Sequence, residues 1–499
     1  MSKTADNKLG GFNKTMMIIV LLIGTFCTVL NQTLLSTALP KLMSTFDVST
    51  ATVQWLTTGF LMVNGIMIPL SAYLSTTVNT KWLYIGAMTI FLGGTILAYT
   101  APTFGVLLAG RLVQALGVGI TMPLLQTIML SIFSAESRGA ALGLVGIVIG
   151  VAPAIGPTLS GWIIDKYQWR DLFGMIIPIM TFVIVLALFF MKPVIETHKQ
   201  KIDWLSLILS TIGFGSLLFG FSSAGNDGWT STKVIASLVI GTIVTALFVW
   251  RQLVIPKPFL ELRVFKTGEF TLSAILSSIV MIAMLGVETV LPLYLQIAHG
   301  MSALHSGLTL LSGAIVMALM SPITGKTFDV LGGKRLATTG MVLLTLATLP
   351  FMWLTLDTPT IYIVFLYAIR MFGISMVMMP VTTSGMNALP DSLIADGTAS
   401  NNTVRQVASS IGSAIMITLL TNVTNNAEPA KHLLKAAPLS YKQQYLQASL
   451  DGYHAAFAFS LVFAVIGVVL TFFLKDHDHE MHTKGISSDD FKNKGGDAA

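Results

Sequence analysis

Two stretches of the sequence share one plan: residues 111–123 read RLVQALGVGITMP, and residues 370–380 read RMFGISMVMMP. Each begins with an arginine in an otherwise apolar run and ends with Met-Pro, at an offset of 259 residues (370 − 111). The segment around Ala72 can be set against the segment around Gly325 at a similar offset, 253 residues (325 − 72). The two offsets predict that the chain consists of two homologous halves.

Composition places most of the chain in a lipid bilayer. Of its 499 residues, 54% are apolar and only 10% are charged, and the mean hydropathy is +0.77. A soluble domain carries roughly 25% charged residues, because it must present a polar surface to water. The composition therefore excludes a soluble enzyme, a nucleic-acid-binding protein and a disordered scaffold. The net charge of +6 arises from Lys and Arg in short connections, which is typical of membrane topology signals.

Apolar runs bounded by charged residues, Pro and Gly predict fourteen spanning helices, each of about 20 apolar residues. The predicted helices cover residues 16–38, 52–74, 83–100, 104–132, 138–164, 172–192, 203–223, 232–252, 268–297, 304–323, 336–356, 360–382, 403–423 and 453–474. We therefore expect an all-α membrane protein with fourteen transmembrane helices, arranged as two six-helix pseudo-repeats plus two inserted central helices. The expected divisions are an N-terminal half at 1–192, the insert at 193–266, a C-terminal half at 267–474 and a cytoplasmic tail at 475–499. Many secondary transporters consist of such halves, with the substrate site at their interface.

The distribution of Lys and Arg predicts the orientation of the helices. Most basic residues fall in segments on the same side as the N-terminus, and an even number of helices returns the chain to that side. We expect a multi-pass protein of a bacterial cytoplasmic membrane with both termini cytoplasmic. The long outer connection at 424–452 is expected to carry an amphipathic surface helix. Cys27 is the one cysteine, so neither a disulfide framework nor a cysteine metal site is expected, and we expect no cofactor.

The most specific motif lies in the fifth predicted helix, where residues 150–162 read GVAPAIGPTLSGW and are followed by Asp165, Trp169 and Arg170. It resembles the antiporter signature of the major facilitator superfamily, in the fourteen-helix drug/proton antiporter branch of EmrB/QacA-type multidrug efflux transporters. The resemblance covers essentially the whole chain. Glycine allows a neighbouring helix to approach closely, and proline permits a bend, so this helix is predicted to act as a gate. The predicted gate residues are Gly150, Pro153, Gly156, Pro157 and Gly161.

A second motif, GKTFDVLGGKR at residues 325–335, is predicted to form a cytoplasmic loop between the tenth and eleventh helices. It resembles the loop motif of the same superfamily, with Gly325 and Asp329 at its start. We expect Asp329 to accept hydrogen bonds from the first amides of the next helix, or to pair with Lys334 or Arg335, and so to act as a conformational latch. The corresponding loop of the first half has Thr76 where the acid is expected.

Ionisable side chains inside spanning helices are costly and usually functional. In the predicted helices they are Glu288, Arg111, Arg370 and Arg405, the last near the inner end of the thirteenth helix. The resemblance places the first, fourth, ninth and twelfth helices around a central cavity, and Asn31 stands where the branch usually has an acid. We therefore predict that Glu288, Arg111, Arg370 and Asn31 handle the proton. The alternative is a static ion pair between Glu288 and one of the arginines.

Adaptable side chains are expected on the cavity wall, because thioethers and aromatic faces suit flat or cationic amphiphiles. Methionines and aromatic residues at helical spacing also pack in ordinary cores, and this alternative stays open for each residue. The predicted substrate-binding residues are Glu288, Asn31, Trp55, Phe60, Asn64, Met284 and Met376.

The resemblance implies proton-coupled efflux of amphipathic, cationic drugs by alternating access, and no enzymatic activity. The expected partners are a proton, a small-molecule substrate and the lipid bilayer, with no nucleic acid, and the protein is expected to be a monomer. One alternative is an exporter or flippase of an endogenous lipid or metabolite with the same fold. Another is a membrane sensor or scaffold that binds ligands without transporting them.

Overall fold

A computed structural model describes residues 13–35, 38–195, 197, 203–256, 258–430 and 436–475. Fourteen helices in this part of the chain are long and apolar enough to span a membrane, and the described residues contain no strand, so the predicted all-α fold is confirmed. The helices are α1 Lys14–Thr33, α2 Trp55–Thr77, α3 Thr80–Tyr99, α4 Phe104–Ile132, α5 Arg138–Lys166, α6 Ile176–Phe190, α7 Trp204–Asp227, α8 Thr232–Val254, α9 Gly268–Leu293, α10 Ala303–Leu331, α11 Gly333–Thr348, α12 Thr360–Asn387, α13 Ile394–Asn426 and α14 Pro438–Thr471. The division of the chain into four segments stays a prediction, and almost all of the predicted tail lies outside the described residues.

Several helices are longer than their apolar runs. α13 begins at Ile394 and not at 403, α14 begins at Pro438 and not at 453, and α10 continues to Leu331. Most of the predicted 424–452 connection is therefore part of these two spanning helices, while residues 431–435 lie outside the described residues and the surface helix stays a prediction. Hydropathy marks only the part of a helix inside the hydrocarbon, whereas the backbone hydrogen bonds continue beyond it.

The earlier start of α13 adds helix before Arg405. This residue lies eleven positions after Ile394, about 17 Å along the helix axis. Its place near the inner end of the membrane-spanning part of α13 stays a prediction.

The two ends of the bundle are called proximal, where α1 begins, and distal. At the proximal end, Lys14 Nζ at the start of α1 donates to the carbonyl of Ile132 at the end of α4, at 2.7 Å. Between the halves, α5 packs along α10, while α13 packs on α2 and α4. This interface positions the candidate site, because residues from both halves line it.

The inserted helices α7 and α8 pack on each other, and α7 also contacts α2 and α13. At their proximal end Arg251 forms a two-pronged ion pair with Asp203, with Nη2 to Oδ1 at 3.0 Å and Nε to Oδ2 at 3.1 Å. Burial opposes ionisation of Asp203, but hydrogen bonds from Arg251 and Ser206 outweigh it and hold the pKa of Asp203 below its ordinary value. The pair fixes the start of α7 against the end of α8.

Candidate functional site

Arg111 of α4 is fully buried and joins three helices of the N-terminal half. Its Nη1 donates to the carbonyl of Asn31 on α1 at 3.2 Å and to Oε1 of Gln114 at 2.9 Å. The Gln114 amide in turn donates to the Thr95 hydroxyl on α3 at 2.8 Å. The guanidinium also lies over the Phe60 ring of α2, 4.1 Å from its centroid. A buried cation is thus stabilised by carbonyl oxygens and an aromatic face.

Arg370 of α12 occupies the corresponding place in the C-terminal half. It is fully buried, its Nε donates to the Thr348 hydroxyl of α11 at 3.2 Å, and its Nη2 donates to the carbonyl of Ala283 on α9. In both halves, therefore, the repeated arginine donates to a backbone carbonyl on the first helix of that half. It is also linked to a threonine on the third helix, directly for Arg370 and through Gln114 for Arg111. The Arg-led repeat in the sequence corresponds to a repeated tertiary network.

The side chains of Glu288 and Asn31 do not take part in these hydrogen bonds, although the backbone carbonyl of Asn31 does. Glu288 is half-buried in α9 and lies within electrostatic range of Arg370 and Tyr367. Within the described part of the chain, no ion pair shorter than 4 Å joins Glu288 to Arg111 or Arg370. The Asn31 side chain is fully buried, and neither its Oδ1 nor its Nδ2 has a partner among the described residues. The described residues therefore do not form the static ion pair in this conformation, although Arg111 Nη2 and Arg370 Nη1 are buried without hydrogen-bond partners among them.

The helix of Glu288 changes geometry just beyond it. Pro292 has no N–H, so the carbonyl of Glu288 loses its usual helical donor. The α-helix ends at Leu293 and is followed by a π-helical turn, Tyr294–Ala298. The Tyr294 hydroxyl donates to the Thr355 carbonyl at 2.6 Å. An irregular turn of this kind often accompanies a functional position in a helix.

The predicted substrate-binding residues do not all lie together. Phe60 is covered by Arg111, and Asn64 is 7% exposed and packs near Gly119 of α4. Trp55 faces the insert, where its ring stacks on Phe219 of α7 at 5.6 Å. Met284 is buried in α9, whereas the Cβ of Met376 packs against Gly340 of α11 inside the C-terminal half. In this conformation Trp55 therefore packs on α7 and Met376 packs on α11.

The seam between α5 and α10 is built from small residues. Four glycines of α5 follow each other at spacings of four, three and four: Gly139, Gly143, Gly146 and Gly150. On α10, Gly139 lies against Gly325, Gly143 and Gly146 lie against Ser321, and Gly150 lies against Met317. At Gly143 a Cβ would lie only 2.6 Å from the carbonyl oxygen of Ser321, so the backbones approach closely because no side chain separates them.

The prolines of α5 are held by α1. Pro157 has no N–H, which frees the carbonyl of Pro153, and the Thr33 hydroxyl donates to that carbonyl at 3.2 Å. Gly156 packs directly against the Thr33 side chain. Gly161 differs from the prediction, because no atom lies within 4 Å of the place where its Cβ would be. The expected close approach at Gly161 was wrong for the described residues.

Asp329 joins the two halves at the proximal end. It lies in the last turns of α10, and its Oδ1 and Oδ2 accept from the backbone amides of Gly139 and Ala140, each at 2.9 Å. The prediction that it accepts from the next helix was wrong, because its partner is the start of α5 in the other half. Lys334 is half-buried and Arg335 is exposed, both in the first turn of α11. An anion at these amides also complements the positive end of the α5 dipole.

Two further links at the proximal end were missed from sequence. Arg138 donates to Asp391 at 2.7 Å and to the amide oxygen of Asn387 at 3.2 Å, and Asn402 donates to Gln126 at 2.6 Å. Each link joins the N-terminal half to the C-terminal half. A signal for Arg138 was available, since an arginine in the first turn opposes the helix dipole and needs a compensating partner.

The distal part of the same seam carries a cavity. Here α5 and α10 stay in contact, since a Cβ at Gly307 would lie 2.6 Å from the Thr158 hydroxyl oxygen. A cavity of about 320 Å³ lies beside this contact and is lined by Ile155, Thr158, Leu159, Trp162, Leu304 and Leu311. The side-chain links between the halves described above therefore lie at the proximal end.

Two halves with corresponding buried arginine networks, joined across their interface at the proximal end, form a multi-pass bundle of the kind found in membrane transporters. Residues 21–413 match the Major Facilitator Superfamily, and the chain belongs to that family. This membership confirms the predicted resemblance and the expectation that the protein is a transporter and not an enzyme.

The chain is 47% identical to an uncharacterized MFS-type transporter, YcnB of Bacillus subtilis (strain 168), over 93% of this chain and 96% of the relative. It is 40% identical to the lincomycin resistance protein LmrB of Listeria innocua, over 91% of this chain and 95% of the relative. The solved structure of the MFS proton:xylose symporter XylE shares the fold, with a TM-score of 0.62, 13% identity and coverage of 93% of this chain and 96% of that one.

Proposed function

We propose that this protein exports amphipathic, cationic drugs in exchange for protons by alternating access in a bacterial cytoplasmic membrane. The observation that carries the proposal is Glu288, a carboxylate about 30 Å from the proximal start of α9, beside a network of two buried arginines. An acid at this depth typically exchanges a proton or binds a cation. The 40% identity to a lincomycin resistance protein supports a drug as the substrate.

In the proposed cycle Glu288 holds either a proton or the cationic group of the drug. Asn31 cannot titrate, so the proton is assigned to Glu288 alone. Arg370 lies within electrostatic range of Glu288, which ties the charge on α9 to the α12 network. Arg111 is assigned the positioning of α1 through the Asn31 carbonyl.

The links at the proximal end are proposed to be the cytoplasmic gate. The bias of Lys and Arg towards that end supports a cytoplasmic location for it and for both termini. In that orientation the described conformation is closed to the cytoplasm, so drug leaves and Glu288 is reprotonated from outside. Breaking the links of Asp329 and Arg138 then admits the next drug molecule from the cytoplasm or inner leaflet.

The test is transport of ethidium by the full chain in liposomes with an imposed pH gradient. We expect the wild-type protein to accumulate ethidium against its gradient, and Glu288→Gln to abolish gradient-driven flux while downhill exchange of ethidium persists. Glu269→Gln is the matched control, because Glu269 is an acid in the first turn of the same helix, where it pairs with Lys475 at 3.8 Å. Gradient-driven flux in Glu288→Gln equal to wild type refutes the assignment of the proton. Absence of ethidium transport in the wild type favours an endogenous lipid or metabolite as the substrate.

A further inference from the structure

Arg405 of α13 carries a third buried guanidinium, and the proposed transport cycle does not use it. The residue is 5% exposed, and neither its Nε nor its Nη1 has a hydrogen-bond partner among the residues that the structure describes. No carboxylate in that part of the chain lies within 4 Å of it. A buried cation without an anion or acceptor is strongly destabilising, so such groups mark a binding function.

Two side chains close to Arg405 in the fold lack the same kind of partner. The Asn401 side-chain nitrogen is buried without a partner within the described ranges, at 2% exposure, and Asn401 lies four residues before Arg405 on the same face of α13. Across the interface, the Gln126 oxygen accepts from Asn402 at 2.6 Å, but the Gln126 side-chain nitrogen has no acceptor there. These residues, Arg405, Asn401 and Gln126, are called the donor cluster. Every unpartnered group in it is an N–H donor, so the matching ligand is an acceptor.

The donor cluster lies between the halves and on the proximal side of Glu288. Asn401, Arg405 and Gly412 are four and seven residues apart and share one face of α13, and Gly412 packs against Ile282 of α9. Arg405 is seven residues proximal to that contact and Glu288 is six residues distal to it. At 1.5 Å per residue the two are about 20 Å apart along the bundle, too far to be partners in one small site.

We infer that the donor cluster binds an anionic oxygen group, a carboxylate or a phosphate, that reaches it when the proximal gate opens. A guanidinium presents a planar pair of donors that matches both groups, and the side-chain amides of Asn401 and Gln126 add further donors. The Asn402 to Gln126 bond closes over the cluster in this conformation and breaks when the halves separate at the proximal end. The ligand is either a small organic anion or the head group of an acidic lipid, and its binding does not depend on proton coupling at Glu288.

The test compares two probes of the same shape, 1-pyrenebutyrate and the neutral 1-pyrenebutanol, by fluorescence titration of the full chain in neutral detergent. We expect wild-type protein to bind pyrenebutyrate at least tenfold more tightly than pyrenebutanol. Arg405→Gln removes the preference while leaving the affinity for pyrenebutanol unchanged, and Arg405→Lys retains part of it. Equal affinities for the two probes in the wild type, or an unchanged ratio in Arg405→Gln, overturn the inference.

A second variant guards against loss of folding. Asn401→Asp places a carboxylate four residues from Arg405 on the same face, so it supplies the anion internally. We expect it to raise the melting temperature and to lose pyrenebutyrate binding; retained binding contradicts the assignment. Repeating the titration in nanodiscs of phosphatidylcholine or phosphatidylglycerol distinguishes the two sources. If phosphatidylglycerol competes with pyrenebutyrate in the wild type but not in Arg405→Gln, the ligand is a lipid head group. If phosphatidylglycerol does not compete and the preference for pyrenebutyrate still depends on Arg405, the ligand is a free organic anion.

Discussion

Replacing Asp329 with alanine should open the proximal end of the bundle. The substitution removes two charge-assisted hydrogen bonds, from the amides of Gly139 and Ala140, each 2.9 Å long. Such bonds contribute about 1.5 to 3 kcal/mol when fully buried, and we take about 1 kcal/mol each because Asp329 is half-buried. The total of about 2 kcal/mol shifts the equilibrium between closed and open proximal ends about 30-fold towards the open state.

Electron paramagnetic resonance measures this shift directly. Spin labels at Ser134 and Lys326, which are exposed residues near the proximal end of each half, report the distance between the halves in a Cys27→Ala background. We expect Asp329→Ala to populate a longer distance than wild type. Asp165→Asn is the matched control, because it removes an exposed acid at the distal end of α5. Identical distance distributions for Asp329→Ala and wild type would falsify the latch.

Three smaller changes test the packing and the electrostatics. Gly143→Ala forces a Cβ against the α10 backbone and should cost about 1 to 3 kcal/mol of stability, whereas Gly161→Ala meets no atom and should leave the melting temperature unchanged or raise it. Thr33→Val leaves the Pro153 carbonyl without its donor and should lower the melting temperature, while Thr33→Ser preserves it. Asp203→Asn should destabilise the protein by the same amount from pH 5 to pH 8. Because the pKa of Asp203 in the folded protein is depressed, its stabilising effect is lost as pH falls. The difference in stability between the variant and wild type should therefore disappear only below about pH 4. These assignments would be contradicted by equal melting temperatures for the two glycine variants or for the two threonine variants. They would also be contradicted if the stability difference between Asp203→Asn and wild type disappeared near neutral pH.

Much of the fold follows from local sequence. The helix α4 matches its predicted bounds, 104–132, because its apolar run and its polar cap at Thr103 are both local features. The repeated arginines were recognisable because a charge inside an apolar run stands out in sequence. The longer ends of α10 and α13 were missed, since their polar residues leave the hydrocarbon while the backbone remains helical.

The candidate site was predictable in part. Its ionisable residues could be named from the sequence, but Trp55 and Met376 could not be told from packing residues, because each faces a neighbouring helix that helical spacing does not identify. The partner of Asp329 was also missed, since the amides that it binds precede it by about 190 residues. Backbone amides carry no side-chain signature in a sequence.

The sequence by itself determined the membrane-spanning architecture, the duplicated halves and the rare charges inside them. These properties depend on the cost of placing each segment in lipid, which is a sum over its own residues. Only the tertiary structure decided which carbonyls receive Arg111 and Arg370, that Asp329 bridges the two halves, and that Arg405 lies among donors without acceptors. Those relations depend on how helices far apart in the chain approach and face one another, and the periodicity of a single helix does not contain that information.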